Sequence, residues 1–355
     1  MIQEKKGRGS RLPASTNRWM KVNDIETGFR PLSGALQPAQ VHTHLPESEP
    51  ASFDMREDPR GISPELLSQN ESMANFVQNR LLREGDLVRV DLELHEDQPV
   101  LIDRHLFEVP LGHRTTAILQ LKGQAGDYYR NGRIQLRLAE DAGLHLVLVD
   151  RTQSGNVSNL SLSADIEEGA SLDLTYINLS AGRSHFYYAG DLLGYEAQTQ
   201  VDQAYLAWGS ARVDFFYNIV FYNHGTQGHI DANGALLDQA HKSFRDTLDF
   251  RSGCVGAVGR EEEFTLLFSD QAKSIAVPIL LCHEDLVQAN HAASNGKIDE
   301  NILFYLMSRG FPRREAEGLI VESRMRPVID RVPDEALRFE LAEEIHERIV
   351  SRYDH

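Results

Sequence analysis

Five side chains that can bind metal ions lie within ten residues of one another towards the carboxyl end of the chain: Cys282, His283, Glu284, Asp285 and His291. Thiolate and imidazole groups suit iron and other transition metals, and carboxylates supply hard oxygen ligands. If residues 277–285 form a β-strand, their side chains alternate between its two faces. Cys282 and Glu284 would then share one face, and His283 and Asp285 the other. The pattern therefore predicts that no single ion binds the whole set.

These residues also have purely structural interpretations. Cys282 ends the apolar run that begins at Ile275, a place where a small buried cysteine often serves as filler. His291 precedes Gly296, and its spacing alone fits a surface or capping residue ahead of a turn. The residues by themselves leave metal binding by His291, Cys282 and Glu284 open.

Two other histidine pairs are weaker candidates. His224 and His229 bracket a loop that contains two glycines, with Asp231 as a further donor, but a third well-spaced ligand is lacking. His42 and His44 lie in a polar segment, where histidines are commonly solvated. Neither pair alone predicts a metal centre.

Acidic pairs at Glu140/Asp141 and Glu167/Glu168 would suit a β-helical polysaccharide hydrolase or lyase. Solvated turns are, however, the usual place for such pairs. Motifs for a nucleophilic serine, a zinc protease or a nucleotide-binding loop are absent from the sequence. We therefore expect no nucleotide bound by this chain itself, and a carbohydrate-active enzyme is the alternative function.

The composition limits the class of partner. Of 355 residues, 53 are acidic and 36 basic, giving a net charge of -17, which disfavours binding to nucleic acid or to an anionic membrane. The longest apolar run, 275–282, has eight residues, whereas a membrane helix needs about 20. Two cysteines and no apolar leader after the first lysines predict a cytoplasmic protein.

Short strands must position the candidate residues. Between about 81 and 298, several segments alternate apolar and polar residues with the period of a strand: 88–94, 115–121, 134–138, 144–149 and 172–177. Residues 138–150 superpose on 166–178 at an offset of 28, and 193–199 repeats the pattern 27 residues later. Acidic turns followed by strands at fixed spacing favour a solenoid of stacked coils. An antiparallel sandwich or barrel is the alternative.

The regions on either side differ in character. Residues 1–80 contain seven prolines and predict an extended, partly disordered arm. Near its end, Ser63 and Pro64 predict a short helix with Leu66, Met73, Phe76 and Val77 at turn spacing.

After residue 298, the apolar spacing becomes helical. Helices are predicted over about 299–309, 312–325 and 334–351, with Gly310 stopping the first. In the last helix, an apolar stripe indicates either core or a partner-binding face: Leu337, Leu341, Ile345 and Ile349.

The string from His291 to Gly310 resembles the carboxy-terminal signature of the SufB/SufD family of iron-sulfur cluster assembly scaffold proteins. In that family, a His-x-Ala-Ser/Thr-x-Gly-Lys/Arg-Ile segment precedes a Leu-Phe-Tyr-Leu-x-Ser-Arg-Gly helix, and both are present here. The likeness covers most of the chain, from the opening at 12–23 to the final helix, and is sharpest from Thr247 to Gly310.

This resemblance implies a mainly β protein with a right-handed parallel β-helix core at 81–298, a short amino-terminal helical and extended region, and carboxy-terminal helices. It implies a non-catalytic scaffold subunit of the SUF machinery. That subunit pairs through its β-helix with a SufB-type chain or a second copy, and docks a SufC-type ATPase through residues 299–355. A transient iron-sulfur cluster would be shared at the subunit interface.

The resemblance also assigns site residues. His291 matches the interface histidine of SufD, because its spacing to Gly296 is the same, and Ala292 stands where SufB has a glutamate. The sulfur-accepting cysteine of SufB aligns with Glu263, which cannot hold sulfur. The chain therefore resembles a short form of SufD, with His291 as the metal ligand and Cys282 or Glu284 as candidate iron or cluster ligands beside it.

Overall fold

The structure is a computed structural model that describes residues 8–9, 11–13, 23–44, 49–51 and 60–351. Most of the predicted family motif at 12–23, and part of the predicted arm, lie outside the described residues.

Within these ranges the chain forms short amino-terminal strands, a long succession of strands and four helices. The strands are β1 (Arg8–Gly9), β2 (Ile25–Glu26), β3 (His42–His44), β4 (Phe76–Leu81), β5 (Leu87–Leu94), β6 (Val100–Leu101), β7 (Asp103–Val109), β8 (Arg114–Gly123), β9 (Tyr129–Leu138), β10 (Gly143–Arg151), β11 (Val157–Ile166), β12 (Ser171–Ser180), β13 (Arg183–Leu192), β14 (Gln198–Ala207), β15 (Arg212–Phe221), β16 (Gln227–Leu236), β17 (His241–Phe250), β18 (Val258–Leu267), β19 (Lys273–Cys282) and β20 (Gln288–Gly296). The helices are α1 (Pro64–Met73), α2 (Glu300–Ser308), α3 (Arg313–Ile329) and α4 (Glu335–Ser351).

The strands build a parallel β-helix of about eight turns. Sheet I runs in the order β20-β18-β16-β14-β12-β10-β8-β5-β3, and sheet II in the order β19-β17-β15-β13-β11-β9-β7-β4. Gly143 pairs with Ser171, an offset of 28, and Ser171 with Gln198, an offset of 27. The predicted repeat is therefore the coil itself, and the predicted fold class is confirmed. The antiparallel alternative is wrong, because every pairing from β4 to β20 is parallel.

The turns between consecutive strands of a coil, which we call corners, carry the acidic pairs. Asp141 has a positive φ of 57° and its N–H donates to the Glu168 carbonyl on the next corner, at 2.8 Å. Both side chains are exposed. The pairs are thus solvated turn residues, and this arrangement gives no support to the carbohydrate-active alternative.

Facing side chains from the two sheets fill the interior with a column of aromatic rings. Tyr176 and Phe186 lie 4.4 Å apart between centroids, and Phe221 stacks on Phe250 at 4.2 Å. Such pairs contribute about 0.5–1.5 kcal/mol each beyond the area that they bury. Because each coil buries its inner face against its neighbours, stability accumulates along the solenoid.

Helices α3 and α4 cover the outer face of sheet I. The predicted stripe on α4 is confirmed as core: Leu341 and Ile345 are fully buried and pack with Ile118, Val147 and Ile177 of the sheet. Helix α3 is longer than predicted and continues through Pro327 to Ile329, because the buried Val328 and Ile329 anchor its last turn.

The amino-terminal helix begins as predicted. The Ser63 hydroxyl accepts from the Leu66 N–H at 3.2 Å, and Pro64 is the first helical residue. Phe76 and Val77, predicted at turn spacing with this helix, instead open β4 of sheet II, so β structure starts within the predicted arm. Asn70 fixes α1 to sheet II by donating to two backbone carbonyls at 2.9 Å.

Among the residues that the structure describes, no helix has the length and apolar character of a membrane span.

Candidate functional site

The last coil of the solenoid carries His291. Strands β19 and β20 are the terminal strands of their sheets, and His291 pairs in register with Glu261 of β18. Glu261 is fully buried while its neighbours Arg260 and Glu262 are exposed, so this column faces the interior between the sheets. His291 therefore lies at the open end of the interior and is exposed. Its exposure agrees with the surface position that its spacing predicts, and it lies within a strand that ends at Gly296.

Small side chains surround this opening, which we call the mouth. Ala289 and Ala293 of β20 lie in register above Gly259 and Glu263, and Ala276 of β19 lies above Phe244. None of the three alanines is buried. The last coil is thus open to solvent, whereas Phe244 and Glu263, one layer below, are buried.

Cys282 ends β19 and is exposed, so its prediction as a buried filler is wrong. The reason is its position: no described coil covers β19. The strand also ends there, and the predicted alternation of faces through Asp285 does not hold. Cys254 lies buried in the corner after β17, where burial, followed by the charge of Glu284, raises its pKa.

Glu284 is committed to the backbone of the neighbouring corner. Its carboxylate accepts from the Gly253 N–H and from the Asp285 N–H, each at 3.0 Å. Hydrogen bonds from the backbone of Gly253 and Leu286 lower its pKa. The Glu284 carboxylate therefore joins the corner that contains Gly253 to its own corner by hydrogen bonds.

The candidate ligands lie at one end of the solenoid without forming a closed set. Within the described ranges, no three His, Cys, Asp or Glu side chains are placed to hold one metal ion. The structure also separates the second histidine pair, because His224 lies at a corner and His229 within β16. His42 and His44, predicted as loop residues, form the exposed strand β3.

A charged cluster occupies the interior below the mouth. The Lys242 ammonium donates to Glu263 at 2.7 Å and to Thr265 at 3.1 Å, and the Tyr205 hydroxyl donates to Glu263 at 2.5 Å. Both charged side chains are completely buried. Burial lowers the pKa of Lys242, and the charge of Glu263 opposes that shift. Glu263 thus forms a buried ion pair with Lys242.

Two further carboxylates of this cluster lack hydrogen-bond partners. Both oxygens of Asp246 and both oxygens of Glu261 are buried and unpaired. Burial, together with repulsion from Glu261 and Glu263, raises the pKa of Asp246. Burial and the charge of Glu263 raise the pKa of Glu261 to about 8. The Ala292 N–H opposes the second shift without reaching hydrogen-bonding geometry.

Sequence reasoning missed this cluster because the run Arg260–Glu263 has the charge density of a surface strand. One signal was available. Extending the repeat places Glu261 in register with the buried Ile230 and Val201, and therefore on the inward face.

Helix α2 has an unusual surface. Its Leu303 is buried, whereas Phe304 and Tyr305 are 73% and 55% exposed. Ile302 and Met307 on the same helix, and Phe311 just after it, are exposed as well. Asp299 caps the helix by accepting from the Asn301 N–H at 2.8 Å. We call these exposed residues the α2 patch.

Comparison with known proteins gives a consistent result. Residues 93–324 match the family described as "SUF system FeS cluster assembly, SufBD core domain". The chain is 34% identical over 141 residues to the iron-sulfur cluster assembly protein SufD of Bacillus subtilis (strain 168), covering 40% of this chain and 32% of that protein. It is 23% identical over 290 residues to a SufBD family protein of Mycobacterium leprae (strain TN), covering 78% of this chain and 33% of that protein. These alignments therefore span about a third of the length of both relatives.

Proposed function

The chain belongs to the SufBD family, and on that premise we propose that it is a non-catalytic scaffold subunit for iron-sulfur cluster assembly. The observation that carries this proposal is the family match over residues 93–324, which includes all strands from β6 to β20. The exposed His291 on the terminal coil supports it, since imidazole is a suitable ligand for iron. The cluster is cargo in this proposal and would be completed by groups from another subunit.

The partner subunit would pair at the last coil. Strands β19 and β20 are the ends of their sheets, and the unpaired backbone groups of an edge strand are a template for pairing with another chain. A SufB-type subunit or a second copy joined there would bury His291 in the interface. Cys282, exposed at the same end, is the second candidate ligand. Glu284 is less suited, because the corner backbone already occupies its carboxylate.

Replacing His291 with Ala is expected to lower cluster yield severalfold without loss of stability. The side chain is exposed, and surface substitutions usually change the free energy of unfolding by less than about 0.5 kcal/mol. The measurement is visible absorbance of the anaerobically purified complex after addition of iron and sulfide. His283→Ala, exposed at the adjacent corner, is the matched control. Equal yields from all three proteins would remove His291 from the proposed function.

We propose that the α2 patch docks a SufC-type ATPase. Aromatic residues dominate binding energy at protein interfaces, and the α2 patch places three aromatic side chains in solvent. Deleting residues 299–355, as the sequence suggests, is a poor test. The deletion would also remove α3 and α4 and uncover the apolar outer face of sheet I.

Single substitutions on the helix surface test the docking proposal without removing α3 and α4. Phe304→Asp should weaken ATPase binding by at least about 2 kcal/mol, roughly 30-fold, as expected for an aromatic interface anchor. Titration calorimetry with the purified ATPase measures this. Phe339→Asp on α4 is the control, since Phe339 is 69% exposed but lies on another helix. If only the Phe339 variant loses affinity, the docking surface lies on α4.

A further inference from the structure

The interior below the mouth contains two buried carboxylates that no described hydrogen-bond donor stabilises. Asp246 on β17 and Glu261 on β18 come from opposite sheets, and each is completely buried. None of their four carboxylate oxygens has a hydrogen-bond partner. An ionised carboxylate without a partner in such a place is strongly destabilising. A positive charge or bound protons must therefore compensate them.

Lys242 does not compensate the charges of Asp246 and Glu261, because it is already paired. Lys242 donates at 2.7 Å to Glu263, which also accepts from Tyr205. That pair is neutral as a unit. When both are ionised, Asp246 and Glu261 carry two negative charges, which one divalent cation would match.

The two carboxylates lie one layer below solvent. Glu261 is directly beneath His291, and Asp246 is directly beneath Pro278. Adjacent strands are separated by about 4.8 Å, so an ion at the mouth needs to move only that far. The alanines of the last coil leave room for this movement, since large side chains at 276, 289 and 293 would close the opening.

We propose that Asp246 and Glu261 form a binding site for a hydrated divalent cation that enters through the mouth. Carboxylate oxygens suit Mn²⁺ and Mg²⁺, and such ions commonly bind through one or two carboxylates while retaining several waters. Water ligands are required here, because no three described His, Cys, Asp or Glu side chains converge. The site belongs to the single chain and does not depend on the proposed scaffold function.

Titration of the purified full chain with Mn²⁺ tests the proposal, with free Mn²⁺ measured by its electron paramagnetic resonance signal. The wild type should bind one Mn²⁺ saturably, and its unfolding temperature should rise with Mn²⁺ concentration. The variant Asp246→Asn/Glu261→Gln should lose affinity by at least about tenfold. Glu262→Gln, which changes the exposed neighbour of Glu261, should bind like the wild type.

Two results would overturn the site: no saturable Mn²⁺ binding by the wild type, or unchanged binding by the double variant. Both substitutions keep side-chain shape and remove buried charge, so we expect the variant to fold. Circular dichroism checks this, and Glu261→Gln alone replaces the double variant if it does not. Retained Mn²⁺ binding together with normal cluster yield in His291→Ala would refute the role of His291 while leaving the inner site intact.

Discussion

Replacing Lys242 with Met is expected to lower the free energy of unfolding by about 3–5 kcal/mol, the usual effect of removing one partner of a buried ion pair. The Lys242 and Glu263 side chains are completely buried and lie 2.7 Å apart. Without the ammonium, Glu263 would be left in an interior that already holds Asp246 and Glu261. A carboxylate left there without its ammonium partner loses the attraction that offsets the cost of its burial.

Urea denaturation followed by circular dichroism measures this effect. The double variant Lys242→Met/Glu263→Gln should recover most of the loss, because a neutral amide still accepts from Tyr205 and neither member of the former pair carries a charge. Lys273→Met is the matched control, since Lys273 begins the next strand of the same sheet and is exposed. A loss of less than about 1 kcal/mol in Lys242→Met would show that the pair contributes little.

The coil architecture could be predicted from the sequence because its causes are local. Strand alternation and a 28-residue coil are both visible as repetition, and the observed register keeps that offset in β10 and β12. The stripe on α4 was equally visible, since four-residue spacing reflects one face of a helix. Leu341 and Ile345 are accordingly buried against sheet I.

The candidate site was less predictable because its causes are not local. Exposure of Cys282 depends on where the stack of coils ends, which no property of residues 275–282 reveals. The inward direction of Glu261 depends on register with strands more than 25 residues away. Similarly, the sequence of α2 resembles that of a buried helix, and only the positions of α3 and α4 show that the α2 patch is left uncovered.

The stability of the chain should depend on pH through Glu261. Its pKa in the folded protein is about 8, against an ordinary value of 4.5, so the folded state holds a proton that the unfolded state releases. This contribution to stability is fully present below pH 4.5 and is lost as pH rises through 8. One linked proton corresponds to a slope of about 1.4 kcal/mol per pH unit between these values.

Comparison of the wild type with Glu261→Gln between pH 5 and pH 8.5 isolates this slope. The comparison is necessary because His185, whose pKa burial lowers to about 4, contributes with the opposite sign and is present in both proteins. The wild type should lose stability relative to Glu261→Gln as pH rises, whereas Glu262→Gln should follow the wild type. A parallel dependence in wild type and Glu261→Gln would show that Glu261 is ionised in the folded protein at neutral pH.

Because a divalent cation displaces protons from its ligands, Mn²⁺ should restore stability most strongly at the alkaline end of this range. Bound protons and a bound cation are thus alternative ways to neutralise the same two carboxylates, and pH decides which is favoured.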